Sequence, residues 1–323
     1  MDGKAPDAEL VGFLDSLRAA GRPTADAERL VRSDPVTGAL AAIGLDAASM
    51  AAERAEAFRR CVALCPAVAL DVAGHREHAG LGPAELWRFY LPICQAVRAL
   101  RPGGARALVG IAGPGASGKS VFAGLLSLLL LRAWPEGGGA ALCPMDGFHR
   151  SNADLDAHAL RARKGAPETF DAEAFVRCLR RLKAGRTHTV PRYDRRLHDP
   201  VPDGARIGTA DRLVLVEGNY LLLGEGAWAE VQALLDLRLF LTTPAETMRE
   251  AMIERHVRGG RSPAAAAAHF ARVDEPNSRL ILGGLPRADL VVERDAQHRV
   301  VGIRRPPPAG QAADRLTGSV CPL

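Results

Sequence analysis

Long apolar runs, aromatic residues and paired cysteines are scarce in this chain, and each scarcity removes a class of protein. The most apolar stretch, residues 121–131, is too short to cross a bilayer and follows directly on a glycine turn, which predicts a buried helix and no membrane partner. The opening MDGKAPDAEL has no charged segment leading into an apolar one, so no signal peptide is expected. Six cysteines (Cys61, Cys65, Cys94, Cys143, Cys178 and Cys321) form no CxxC pair and have no histidine at zinc spacing. They read as free thiols of a reducing compartment and point to the cytoplasm. Aromatics make up only 5% of residues and interleave with no basic tract, which argues against a nucleic-acid partner. The net charge of +5 is spread along the chain as an ordinary solvated surface.

What remains is ordinary globular chemistry: 323 residues, 47% hydrophobic and 24% charged, enough for one large domain and a smaller one. Residues 1–104 are rich in Ala, Arg and Glu. Helical stretches are expected at 8–20, 47–64 and 83–100, with punctuation at 21–23, 33–35, 73–83 and 101–104 and no strand pattern. From Ala105 the rhythm changes. Short apolar runs at 107–113, 141–146, 212–218, 235–242, 288–293 and 299–303 alternate with helical segments. That alternation predicts an α/β fold, a parallel sheet flanked by helices, over residues 105–305. Residues 1–104 would form a helical N-terminal extension, and 306–323 a loose Pro- and Gly-bearing tail. No internal repeat is present, and homodimerisation is left open.

Between the first run and the helix after it lies GPGASGKS, residues 113–120, which fits G-x-x-x-x-G-K-[ST] without a mismatch. Backbone N–H groups can converge on phosphate oxygens only where side chains do not obstruct them, hence Gly113, Gly115 and Gly118 around Ser117. The helix starting near Val121 adds its positive end. Lys119 can reach the β- and γ-phosphates of ATP, and the Ser120 hydroxyl can ligate Mg²⁺. A cradle of this kind serves switch GTPases, ATPases and small-molecule kinases alike. No N-K-x-D guanine-reading segment follows the Glu217 run, which ranks a GTPase low.

Two carboxylates stand at the ends of candidate strands: Asp146 in MDGFH and Glu217 in VEGNY. In parallel α/β sheets the carboxyl ends of strands line the ligand crevice, so both can stand beside Lys119. One carboxylate there can take a proton from an acceptor hydroxyl while the other holds Mg²⁺.

GPGASGKS, MDGFH, RKGAPETFD (163–171), PRYDRRLHDPVP (191–202), VEGNYLLL (216–223) and RHVRGG (255–260) together resemble the phosphoribulokinase/uridine kinase/pantothenate kinase superfamily. Their combination is most similar to a bacterial branch described as fructose-transport-kinase-like or nucleoside/nucleotide-kinase-like. The resemblance implies a P-loop fold transferring the γ-phosphoryl group of ATP to a hydroxyl of a small metabolite, with Asp146 as base and Glu217 as the second acid. It implies a lid carrying Arg249, Arg255, Arg258 and Arg261, of which Arg255 would clamp the phosphates. It also implies acceptor contacts from Tyr193, His198, Arg163 and Arg192. Gly165 stands where uridine kinases carry a ribose-gripping aspartate, and Pro200 where they carry an arginine. Nucleoside, pantothenate, glycerate and sugar acceptors all stay open. DEPNSRLIL (274–282) is read as bordering the adenine or, through Asp274 and Asn277, as capping the next helix. The rival reading is a P-loop ATPase or nucleotide-binding regulatory protein with no small-molecule acceptor.

Overall fold

The computed structural model describes residues 8–20, 29–31, 34–44, 50–72, 75–100 and 106–308. The expected tail from 309 onward, Cys321 and the start of the 47–64 stretch lie outside them. Six strands form the central sheet: β3 (Ala107–Ala112), β4 (Ala141–Pro144), β9 (Leu213–Gly218), β10 (Leu237–Thr242), β11 (Leu290–Arg294) and β12 (Val300–Arg304), in the order β12-β11-β10-β3-β9-β4. Five run parallel; β12 pairs antiparallel with β11. The sheet is therefore mixed rather than wholly parallel. A parallel neighbour needs a long crossover, and the few residues between β11 and β12 allow only a hairpin.

β3 and β9 are buried along their whole length, which explains their unbroken apolar runs. Alternate residues feed two cores. Val109, Ile111, Leu213 and Leu215 face one; Leu108, Val214 and Val216 face the other. The first core is closed by the phosphate-loop helix (Lys119–Ala133) through Phe122, Leu125, Leu126, Leu129 and Leu130, and by the N-terminal helices through Leu14, Leu17, Phe58 and Trp87. The second is closed by the helix Ala172–Lys183. Asp171 caps its start, accepting from Ala174 N at 2.8 Å, and its inner stripe is Phe175, Cys178, Leu179 and Leu182. No described helix is long and apolar enough to cross a membrane.

The N-terminal region is not purely helical. Helices span Ala8–Ala20, Pro35–Ala41, Ala51–Cys61 and Leu91–Ala99, but β1 (Ala67–Val72) and β2 (His75–Gly80) make an antiparallel hairpin where only punctuation was expected. Val68 and Leu70 are buried while Ala67, Ala69 and Asp71 are exposed. This period-two pattern was present in AVALDV, but alanines at the outward positions blunt its contrast.

On the far side of the sheet, β6 (Arg192–Asp194) and β7 (Asp199–Val201) form a second hairpin with Tyr193 opposite Pro200. Its base presses on the turn after β4: a Cβ at Gly147 would collide with the Pro191 carbonyl. Gly147 thus seats the hairpin against the MDGFH turn (Met145–Phe148). Replacing Gly147 with alanine is expected to cost about 1–3 kcal/mol of stability, the usual price of overpacking. Urea unfolding checks this, and an unchanged midpoint would contradict the contact.

Candidate active site

The phosphate loop joins β3 to its helix, with Gly118 in the left-handed region (φ 79°) immediately before Lys119. Gly113, Pro114, Gly115 and Ser117 are buried, and Val121 lies half-buried in the first helical turn. Lys119 is buried and its Nζ donates to the Pro114 carbonyl at 2.8 Å, so the side chain folds back over its own loop. The Ser117 hydroxyl is buried without a hydrogen-bond partner. A buried hydroxyl of this kind normally finds an acceptor, and a phosphate oxygen in the nest fits that need.

The sheet register brings the acids in. Ile111 and Pro144 both pair with Glu217, and Asp146 follows Pro144 in the turn that ends β4. Glu217 is buried and its Oε1 accepts from the Ser120 hydroxyl at 3.0 Å. Burial pushes its carboxyl up to about 7, with the Asp146 charge acting in the same direction and Lys119, Ser120 and Arg195 opposing it. Burial likewise pushes the Lys119 ammonium down to about 8; Glu217 and Asp146 favour its charge and Arg255 disfavours it. Ser120 and Glu217 offer hard oxygen donors of the sort Mg²⁺ selects.

Next to Asp146, His149 lies between Phe170 and Tyr193, with ring centroids 3.9 and 4.8 Å away. Its Nδ1 is 2.9 Å from the Asp146 carbonyl, and burial pushes the imidazole down, keeping it neutral. Burial and the charges of Asp146 and Asp199 push the Tyr193 phenol up to about 12. Lys164 lies over the Tyr193 ring at 5.2 Å and donates to Asn152 Oδ1 (2.6 Å) and the His198 carbonyl (2.5 Å), which makes it a strut of this wall. Asp199 anchors the same wall by accepting from Asn152 N at 2.7 Å.

Lys119, Ser120, Glu217 and Asp146 are thus brought together, with Tyr193 within reach of the Asp146 charge. Arg255 is exposed on the helix Ala245–Arg258, yet its charge reaches both Lys119 and His149. Met252 of that helix packs against Gly115, so the helix leans over the phosphate loop. Three expected acceptor contacts point elsewhere. Arg163 pairs with Glu168 and Arg192 with Asp194, both guanidiniums exposed, and the exposed His198 is held by its backbone, in the left-handed region at φ 52°. Arg195, by contrast, acts on Glu217 and Tyr193. In sequence it is indistinguishable from Arg192 and Arg196, because only the turn of the β6–β7 hairpin decides which of the three faces inward.

The helix Ala245–Arg258 stops at Gly259, whose N–H bonds the Arg255 carbonyl at 3.0 Å. Asp274 caps nothing. It sits within a continuous helical run from Pro263 to Leu282, and its carboxylate is 2.7 Å from His256 Nε2. Arg261 Nη1 lies 2.6 Å from His256 Nδ1, so both ring nitrogens are engaged. His269 adjoins them in a group with metal-ligand character. With one nitrogen of His256 taken by a guanidinium, the group serves as a hydrogen-bonded latch across Gly259-Gly260.

Residues 108–301 match the family model described as Phosphoribulokinase / Uridine kinase family. The uncharacterized protein YggC of Escherichia coli (strain K12) is 37% identical over 234 residues, covering 72% of this chain and 97% of that protein. A pantothenate kinase of Sinorhizobium medicae is 28% identical over 228 residues, covering 61% of this chain and 69% of the relative. Among solved structures, one from Silicibacter sp. TM1040, described as a "putative fructose transport system kinase", is 34% identical with a TM-score of 0.55, over 58% of this chain and 91% of that one.

The electrostatics of the buried pair can be checked directly. Lys119 lowers the Glu217 carboxyl, so Lys119→Met is expected to move its ionisation to higher pH. Infrared titration of the protonated carboxyl band, assigned by Glu217→Gln, reads the midpoint. A midpoint unchanged by the substitution would contradict the pairing.

Proposed function

This chain belongs to the phosphoribulokinase/uridine kinase family, and on that premise we propose that it transfers the γ-phosphoryl group of ATP to a hydroxyl of a small metabolite, with Asp146 as the general base. The observation that carries the reading is the meeting of Lys119, Ser120, Glu217 and Asp146 at the carboxyl ends of β3, β9 and β4. The family gives an ATP-dependent small-molecule kinase; the roles below are our assignment.

The main-chain amides of residues 113–118 and the partnerless Ser117 hydroxyl receive the triphosphate. Lys119 exchanges the Pro114 carbonyl for phosphate oxygens and regains a strong reason to stay charged. Ser120 and Glu217 would hold Mg²⁺, which supplies charge neutralisation between the phosphates when bound. Arg255 closes over the triphosphate from the lid helix, a role suited to a permanently charged guanidinium. Asp146 accepts the acceptor hydroxyl's proton as the new O–P bond forms and the bond from the γ-phosphorus to the ADP oxygen breaks. His149, neutral and bonded to the Asp146 main chain, together with Tyr193 makes the wall against which the acceptor lies. His198, Arg163 and Arg192 could contact an acceptor only by leaving their present positions.

An ATPase or regulatory protein with no acceptor needs no such wall. The decisive experiment is ADP release from purified protein across sugars, pantothenate, glycerate and nucleosides, with product masses measured. ADP release that depends on one alcohol, with a product heavier by one phosphoryl group, is expected. Lys119→Ala should lose this turnover by a factor of about 10² or more. Release of ADP indifferent to every acceptor, or full turnover by Lys119→Ala, would overturn the reading.

A further inference from the structure

A buried guanidinium lies behind the phosphate loop, and the phosphoryl-transfer reading leaves it without a role. Arg294, the last residue of β11, is 7% exposed. Its Nη1 donates to the Ser117 carbonyl at 2.7 Å, while Nε (2.7 Å) and Nη2 both donate to the His298 carbonyl. The loop is moulded around it, since a Cβ at Gly118 would fall on the Arg294 guanidinium.

The contact acts on the peptide that matters most. In a planar trans peptide the Ser117 C=O and the Gly118 N–H point in opposite directions. Fixing the Ser117 carbonyl on Arg294, behind the loop, therefore aims the Gly118 N–H at the opposite side, where a nest must present its donors. Without the guanidinium, a buried carbonyl would lack its donor, and the peptide would be free to rotate its N–H out of the nest.

Arg294 is itself held in place. The His298 carbonyl that accepts from it belongs to a tight turn in which His298 takes φ 60°, and Asp295 Oδ1 secures that turn by accepting from Gln297 N (3.0 Å) and Arg299 N (2.9 Å). Just beyond the turn, Val300 N donates to Glu85 Oε1 at 2.7 Å. Glu85 is buried and comes from the short helix Pro83–Glu85, outside the family-matched residues 108–301. Burial pushes its carboxyl up; hydrogen bonds from Val300 and Gly82 and the Arg294 charge pull it back. Three contacts thus join the N-terminal region to the nest: Glu85 to Val300, the His298 carbonyl to Arg294, and Arg294 to Ser117.

We propose that Arg294 is a positioning residue that sets the Ser117–Gly118 peptide for phosphate, and that Glu85 sets Arg294 through the β11–β12 turn. Nucleotide affinity thereby depends on a residue outside the stretch 108–301 that the family model matches. This rests on the loop being a phosphate site.

Calorimetric binding of Mg·ADP, which needs no acceptor, provides the test, together with hydrogen exchange of the Gly118 amide in nucleotide-free protein. Arg294→Lys cannot serve both carbonyls and should bind Mg·ADP about tenfold more weakly, the loss expected for charged hydrogen bonds. Glu85→Ala should weaken binding about threefold, while Glu85→Gln, which still offers Oε1 to Val300 N, should stay near wild type. Gly118 exchange should quicken in Arg294→Lys and Glu85→Ala. Wild-type affinity and wild-type Gly118 exchange in both variants would overturn the proposal, as would a lowered melting temperature with neither changed. If Arg294→Lys does not fold, Glu85→Ala decides by the same two readouts. Failure of the wild-type protein to bind Mg·ADP would count against the phosphate site instead.

Discussion

Lys119 and Glu217 carry opposite charges into a buried space where β3 and β9 end, and neither is fully neutralised there. Taking each ion out of water costs several kcal/mol, and their mutual attraction offsets only part of it. The consequence is visible in both groups: the ammonium is pushed down to about 8 and the carboxyl up to about 7, so the two approach each other near neutral pH. Lys119 meanwhile borrows the Pro114 carbonyl, and Glu217 the Ser120 hydroxyl. On the proposed function, a triphosphate would supply the anion the lysine lacks, and a divalent cation the charge the glutamate lacks. The strained electrostatics of the pair would then favour binding both together.

The surrounding scaffold holds that pair and its neighbours by different means. Strand register places Glu217 between Ile111 and Pro144 with no freedom to shift, because a slip of one residue would turn buried Val216 and Leu215 to the wrong cores. The wall of His149 and Tyr193 is attached differently, through Gly147 against Pro191 and through the Lys164 and Asp199 struts. The helix Ala245–Arg258 rests on the phosphate loop through Met252, and the Arg261–His256–Asp274 hydrogen bonds tie its end to the helical run that follows.

Much of this was legible in the residues. The phosphate loop announces itself because glycine spacing and a following lysine answer one steric need, and the acids at strand ends follow from the parallel sheet. Less legible was anything decided by tertiary approach. Arg195 faces inward and Arg192 outward because of a hairpin turn, and Asp274 looked like a cap because Asp before Glu-Pro usually starts a helix. The hairpin Ala67–Gly80 escaped because alanine fills outward positions where polar residues would have marked the alternation. Arg294 carried no signal at all, since its role exists only where β11 passes behind a loop that lies far from it in sequence.

The central claim is that the buried pair binds the nucleotide while Asp146 serves the acceptor. Asp146→Asn separates the two. Calorimetry should show Mg·ATP affinity within about twofold of wild type, while acceptor-dependent phosphoryl transfer falls by a factor of about 10²–10⁴, the usual loss for a general base. Transfer at the wild-type rate in Asp146→Asn would contradict the account.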